Sequence, residues 1–436
     1  MRWTQDVPRT MPRVLFMLLT IVAASVHVDA SQTHVVVGQN DAGVDRLAIQ
    51  DAIDGADEGD TVELQGAFQL DGVQISVGVS HLTIEGAAID NDSDGEINED
   101  WADGLDNDGD GLFDEDDWDA VLTGVDDGAG GAAGDAFPNR FNDGFELLGF
   151  DGELRKIEIR DIKFSKLNRS IYLFPDYADG GTVLVCNSST PTAGELEDVE
   201  IEGNAFESCN RGVELLGRVS KLSIENNRFA DVANQAVIMF GEGIGCAEAD
   251  GSILQVLPLG IPEKVRVVGN RMSGGSIGVL SQVSEKTSVS CNQFSGQALG
   301  VISLEDEKLS VAHNDIDGAF IGLLGSFEPR VTGPASGNAF KDNVLTNSIF
   351  GVVVDCDTTG YRLAGNSFQG SVFADIFLDG ISPGGSCADF GLGDSFDNTV
   401  IVDATTTVLD FGSNNSVIID DDEDSDSDCD EDSDSD

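Results

Sequence analysis

The densest set of chemically useful residues is the run Asp106-Asn107-Asp108-Gly109-Asp110-Gly111. Asp stands at the first, third and fifth positions of a loop pattern and Gly at the sixth. Leu112 offers its carbonyl at the seventh, Asp114 stands ninth and Asp117 twelfth. A hard divalent cation takes roughly six to eight oxygens, and the glycine allows the sharp turn that gathers them. Upstream, Asp90, Asp92 and Asp94, followed by Gly95, repeat the opening. There Trp101 takes the twelfth position, so closure needs Glu99 or Asp100. The expected ligand is Ca2+, held by Asp90, Asp92, Asp94, Asp106, Asp108, Asp110, Asp114 and Asp117. Without metal, carboxylates this close repel one another. The plainer alternative is an acidic loop that only solvates.

A second set is spread further along the chain: Glu158, Arg160, Glu200, Glu202, Glu225 and Arg266. Each sits in a short run where polar and apolar residues alternate, as in Val199-Glu200-Ile201-Glu202 and Leu222-Ser223-Ile224-Glu225. Such alternation is a strand with one face inward and the other outward. On neighbouring parallel strands ~4.8 Å apart, these outward side chains would fall in one patch. Carboxylates so placed share a cation or hold one raised pKa. An Arg beside them neutralises an anionic ligand or, with a lowered proton affinity, serves as a base. The plainer alternative is a surface ladder of Glu–Arg pairs, each worth ~0–1 kcal/mol. The four histidines, His27, His34, His81 and His313, are scattered, and His313 reads as a turn residue before Asn314.

The elements that must position these groups follow from a repeat. Asn with a large apolar residue two positions later recurs at Asn204/Phe206, Asn227/Phe229, Asn270/Met272, Asn292/Phe294, Asn314/Ile316 and Asn366/Phe368, and Asn343 divides the widest interval. Successive spacings are 23, 43, 22, 22 and 52. Before each Asn runs an alternating strand. After it comes a second apolar stretch, such as Val213/Leu215 or Val237/Met239, often behind Gly212, Gly278, Gly300, Gly322 or Gly351. Each unit therefore reads as strand, turn, strand, turn. One unit cannot bury its apolar face alone, and stacked units can. The Asn residues are expected to stack at the turn, and the glycines to supply turns with positive φ.

This pattern resembles the right-handed parallel β-helix family, whose members include pectate lyases, over roughly residues 47–419. The Leu47–Asp54 segment resembles the helix that caps the open N-terminal end of such solenoids, and Gly59–Leu64 the first strand after it. The fold class expected is all-β. The Asp-rich run resembles the calcium loops of dockerin-like and thrombospondin-type repeats, without clear flanking helices. The first resemblance implies a substrate lying along the outer face of one sheet, where acids bind calcium and Arg or Lys removes a proton. Calcium would acidify the C5 proton of a uronate in that setting. No catalytic motif of the family can be carried over residue by residue.

Charge narrows the partners. The 436 residues hold 80 Asp+Glu against 23 Lys+Arg, a net charge of −57. Fifteen acids lie in Asp90–Asp119 and twelve in Asp420–Asp436, leaving 53 acids against 23 bases elsewhere. Phosphate-backbone binding needs a basic face, so nucleic acid is not an expected partner. An anionic membrane surface is disfavoured for the same reason. Hydrophobic residues make up 40% of the chain, enough for a sizeable core.

Residues 1–30 read as an export signal: Arg2, Arg9 and Arg13, then an apolar run from Val14 to Val26, then Val28-Asp29-Ala30 for cleavage. Met11 is an alternative start. The mature chain is expected to be secreted, periplasmic or at the cell surface, without inserting into a membrane. The domains expected are a signal at 1–30, a β-helix at 31–419 with an Asp-rich insertion at 90–142, and a disordered acidic tail at 420–436. Export permits disulfides. Cys186–Cys246 and Cys356–Cys387 are the expected pairs, Cys209 and Cys291 are expected as buried thiols, and Cys429 as the leftover.

Two functions are consistent with these features. One is a calcium-binding protein that meets extracellular polysaccharides or surface glycans without catalysis. The other is a carbohydrate-active enzyme, a polysaccharide lyase, hydrolase or epimerase, working through the six Glu and Arg residues above. The non-catalytic reading is preferred at this point, because no catalytic set declares itself.

Overall fold

The computed structural model describes residues 31–419 except 71, 88–117, 125–142, 149–152, 175–194, 242–243, 248–252, 258–260, 327–336, 356–357, 379–380, 383–384 and 387–396. The signal-like segment, the eight Asp candidates for calcium, the acidic tail and the expected disulfides at Cys186 and Cys356 fall outside the described residues.

Among the described residues, strands assemble into three long parallel sheets of thirteen, eleven and ten strands. One coil shows how. Glu195–Glu202 lies in the thirteen-stranded sheet, Ala205–Glu207 in the ten-stranded sheet and Arg211–Leu216 in the eleven-stranded sheet. The next coil repeats the path, with Val199 beside Leu222, Phe206 beside Phe229 and Val213 beside Val237. The chain is a right-handed parallel β-helix. It uses three strands per coil where two were expected. The extra strand is the three-residue segment after each Asn, which has one inward residue and so is too short to show alternation.

The inward residues form one continuous column of apolar packing. Phe164, Phe206 and Phe229 stack with centroids 5.1 and 4.6 Å apart inside the ten-stranded sheet. Each is fully buried, a gain of about 1.5–3 kcal/mol per side chain.

At the turn between the thirteen- and ten-stranded sheets the Asn residues form the expected ladder. Asn204, Asn227, Asn270, Asn292, Asn314 and Asn343 each donate through Nδ2 to the next Oδ1, at 2.9–3.1 Å, ending on Asn366. The residue before each ladder position takes positive φ, as at Asn226 (55°) and His313 (55°), so His313 is a turn residue as expected. The glycines at the second position of strands in the eleven-stranded sheet do something different from what was expected. Gly212 and Gly278 do not have positive φ. A Cβ at Gly278 would stand 2.5 Å from the Phe294 ring, and one at Gly212 would stand 2.6 Å from the Phe229 ring. They are small because the inward ring and the next coil's backbone carbonyl (Ala236 O at 2.5 Å from a Cβ at Gly212, Gly300 O at 2.7 Å from one at Gly278) leave no room for a Cβ.

The N-terminal cap is larger than the Leu47–Asp54 segment. A strand at Thr33–Val37 pairs with Thr61–Gln65, and the helix runs from Ala42 to Asp54. Asp41 caps it, accepting from the Gly43 N–H at 3.2 Å. Asp45 is buried and accepts from the backbone N–H groups of Gln39, Asp41 and Gln69. Ile49 and Ile53 close the end of the core. Within the span 90–142, Val121–Gly124 is a coil strand, pairing with Ala67–Leu70 and Lys163–Ser165.

Cys209 is a free buried thiol, as expected. Cys291 is disulfide-bonded, which corrects its reading as a buried thiol; it stands half-buried at a turn. No helix among the described residues is long and apolar enough to cross a membrane.

Candidate functional site

The thirteen-stranded sheet brings together the six residues singled out from sequence. Register aligns Glu158, Glu200, Ser223 and Arg266 in one outward column, and Arg160, Glu202, Glu225 and Val268 in the next. Thr83 and Glu85 stand in the two columns one coil earlier. A shallow depression of about 200 Å³ lies on this face, lined by Glu158, Ile159, Arg160, Glu200 and Glu202.

The arginines are already engaged. Arg160 donates to Glu85 Oε2 from Nε at 2.9 Å and from Nη2 at 2.6 Å. Burial alone would lower its proton affinity, but the bonds to Glu85 and the nearby Glu158 and Asp161 outweigh that and raise it. Arg160 is therefore a fixed cation, which disfavours the reading of it as a base. Arg266 lies 3.6 Å from Glu225, and the Ser223 hydroxyl also donates to Glu225. Glu158 accepts from the Thr83 hydroxyl at 3.3 Å.

The carboxylates do not share one environment. Partial burial, then repulsion from Glu202, Glu158 and Glu225, pushes the Glu200 carboxyl above its ordinary value. Asp161, at the turn below, is pushed up to about 6 by burial, with Glu85 and Glu202 adding to the shift and Arg160 opposing it. Such a surface offers a proton-holding carboxyl among carboxylates. Among the described residues, no group of three His, Cys, Asp or Glu side chains converges tightly enough to hold a metal.

A second group of charges was not found from sequence. On the outer face of the eleven-stranded sheet, Asp143, Arg169 and Arg211 follow one another in register, as do Glu146, Tyr172 and Glu214. Arg169 is ion-paired with Asp143 and lies 3.8 Å over the Tyr172 ring. Arg211 donates to Glu214 at 2.7 Å. Asp143, Glu214 and Tyr172 are 2, 4 and 7% exposed, so these outward groups are nonetheless shielded. Burial raises the Tyr172 phenol well above its ordinary value, which keeps it protonated. A sequence signal did exist: Arg169-Ser170-Ile171-Tyr172 and Arg211-Gly212-Val213-Glu214 occupy equivalent places. Later coils have Ile238, Leu280 and Ile302 where Tyr172 and Glu214 stand.

A long parallel β-helix with polar constellations on its outer faces is thus the class of protein that fold and sites define. Among solved structures, the chain is similar to an alginate lyase from a Paenibacillus strain, with 13% identity, TM-score 0.50, and coverage of 80% of this chain and 99% of that one. It is similar to a DFA-IIIase from Arthrobacter chlorophenolicus, with 15% identity, TM-score 0.49, and coverage of 86% and 92%. It is also similar to the A-module of a mannuronan C-5 epimerase from Azotobacter vinelandii, with 12% identity, TM-score 0.41, and coverage of 87% and 97%. No protein-family model and no curated protein matches the chain.

Proposed function

We propose that this protein is a carbohydrate-active enzyme working on an extracellular polysaccharide outside the cell, with calcium as its small-ion partner. The observation that carries the reading is the Glu158–Glu200–Glu202 face. It holds carboxylates one strand spacing apart, one of them pushed up, in a depression open to a chain-like ligand. A carboxyl that retains its proton beside ionised neighbours is the pairing that general acid–base chemistry at a glycosidic bond requires. The shared fold with a protein named alginate lyase supports carbohydrate chemistry as the class. Calcium would be held by Asp106, Asp108, Asp110, Asp114 and Asp117, whose spacing supplies hard oxygen donors, with Asp90, Asp92 and Asp94 as a partial second set. Export rests on the signal-like residues 1–30.

The second reading is a non-catalytic glycan-binding protein. It is favoured by the engagement of Arg160 with Glu85 and of Arg266 with Glu225, which leaves neither as a free base.

The test is a polysaccharide panel assayed for reducing-sugar release and unsaturated-product absorbance, with and without calcium. Activity that Glu200→Gln loses and Ser310→Ala keeps supports the enzyme. Silence across the panel with glycan binding retained selects the binding protein.

A further inference from the structure

Beyond its charged group, the outer face of the eleven-stranded sheet turns apolar. Ile238, Leu280, Ile302, Leu324, Val353 and Phe377 follow one another in one outward column. The first three of these are buried among apolar neighbours. On the later coils the face is open. Phe320, Phe350, Phe373, Phe377 and Phe411 form an unbroken run of rings, with centroids 4.9–6.0 Å apart from one to the next. Phe320, Phe373 and Phe411 are 51, 59 and 50% exposed. An aromatic side chain carries about 150–250 Å², so these three alone leave on the order of 300 Å² of apolar surface in water. Coil stacking does not demand the rings. Where Phe320 and Phe373 stand, just ahead of the strand, earlier coils have Asn210, Asn234 and Ser276.

We infer that this run of rings is the docking face for a protein partner whose apolar contact surface is ringed by lysine and arginine. The inference is independent of the carboxylate patch and of its reading as an active site.

Charge selects that partner. Residues 309–419 hold thirteen Asp and Glu against three Lys and Arg. The acids lie beside the rings in the chain: Asp317 precedes Phe320 by three residues, Asp375 follows Phe373 by two, and Asp410 adjoins Phe411. Asp355 follows the strand that Phe350 opens. The described bases of this stretch, Lys341 and Arg362, stand on the outer side of a different sheet, the thirteen-stranded one, with Phe340 and Leu363 inward beside them. The acids near the rings therefore go uncompensated by Lys or Arg among the described residues of this face. Opposite charges around an apolar centre draw the right partner, and like charges penalise the wrong one. A second copy of this chain would bring the same acids, and an anionic membrane would bring its own negative charge, so neither fits. A sugar needs hydrogen-bonding groups beside the rings. Phe has none, and the acids are engaged within the protein: Asp317 accepts from Thr346 and Asn347, Asp355 from Ser326, Asp375 from the Thr407 N–H, and Asp410 from the Gly412 N–H and Asn415. Their charge still reaches a partner. A protein interface needs a central aromatic cluster and a polar rim, and no pocket is required.

The test uses a synthetic amphipathic helical peptide, a leucine stripe flanked by lysines, titrated with the full-length protein and read by fluorescence anisotropy. Two further peptides carry glutamate for lysine or serine for leucine. The lysine–leucine form is expected to bind at least tenfold tighter than either. Phe373→Ser is expected to weaken its binding at least tenfold. Phe320→Ser, on another coil, is expected to do the same and serves if Phe373→Ser does not fold. Asp355→Asn together with Asp410→Asn keeps the acceptors, removes two charges and is expected to weaken binding several-fold. Ser310→Ala is the unaffected control. No binding by the wild-type protein overturns the inference. So does binding that both Phe variants retain, which would show attraction by general acidity alone, and so does equal binding of the serine form or of the Asp double variant. A concentration-dependent dimer that Phe373→Ser abolishes in sedimentation would give the face to a second copy instead. Binding of a neutral oligosaccharide that Phe373→Ser abolishes would give it to a glycan. Either result overturns the inference and leaves the proposed function standing.

Discussion

Asp306 and Tyr361, in neighbouring parts of the solenoid core, meet through a single hydroxyl: Ser303 Oγ stands 2.8 Å from Asp306 Oδ2 and 2.8 Å from the Tyr361 oxygen. The other oxygen of Asp306 accepts from the Ser281 hydroxyl and from the backbone and hydroxyl of Ser284, at 2.8–2.9 Å. The carboxyl is fully buried, and burial outweighs these bonds, pushing it up to about 6.

The sign of the resulting pH dependence is set by that upward shift. The folded chain holds the Asp306 proton over a range where the unfolded chain has released it. Its contribution to stability is therefore full below about pH 4 and falls as pH rises through about 6. The loss on the neutral side is up to about 3 kcal/mol. Asp306→Asn keeps the acceptor and offers Ser303 a donor. Urea unfolding at pH 4.5 and 7 is expected to show a smaller loss of stability with rising pH in the variant. Equal slopes in the two proteins would show that Asp306 does not titrate in this range.

The ladder makes a graded prediction. Asn270 donates to the Ile224 and Val268 carbonyls and to Asn292, and accepts from Asn227. Asn270→Ala leaves buried groups unpaired on two coils and is expected to cost about 2–4 kcal/mol. Asn366→Ala, at the ladder's last link, is expected to cost less. Unfolding midpoints that fall equally would count against the ladder as the source of the difference.

Close approach, and not turn geometry, explains Gly278. Gly278→Ala is expected to cost about 1–3 kcal/mol through overlap with the Phe294 ring and with the Gly300 carbonyl oxygen. Phe294→Leu in the same chain is expected to recover part of it. A double variant no better than the sum of its single changes would remove this account.

For the proposed chemistry, Glu200→Gln is expected to lower turnover on the active polysaccharide about 100-fold or more, with little change in folding stability. A rate within a few-fold of wild type would move the acid–base role away from Glu200.

Calcium at the Asp-rich run is expected to raise the thermal midpoint. Saturation a hundredfold above the dissociation constant corresponds to about 2.7 kcal/mol. Asp108→Asn together with Asp110→Asn is expected to abolish the rise. An equal rise in the double variant would place the calcium elsewhere.

How far the amino-acid order alone determines this protein can be judged from particular residues. Asn204, Asn227 and Asn270, each followed two positions later by a large apolar side chain, were enough to define the coil and its ladder. The reason is that a parallel solenoid repeats one local environment at every turn. Period-2 alternation likewise placed Glu158, Glu200 and Glu225 on one outward face, since strand geometry sends alternate side chains to opposite sides. Tertiary structure alone decided the rest. The strand at Ala205–Glu207 sends only Phe206 inward and is too short to show alternation, so that it is a separate strand is not visible in the residues. Gly278 is small because of a ring and a carbonyl oxygen in the next coil. Glu214 and Asp306 look like any other acids on a chain with 80 of them. Only the stacking of distant coils shields those two from water, and that shielding gives Asp306 its raised pKa.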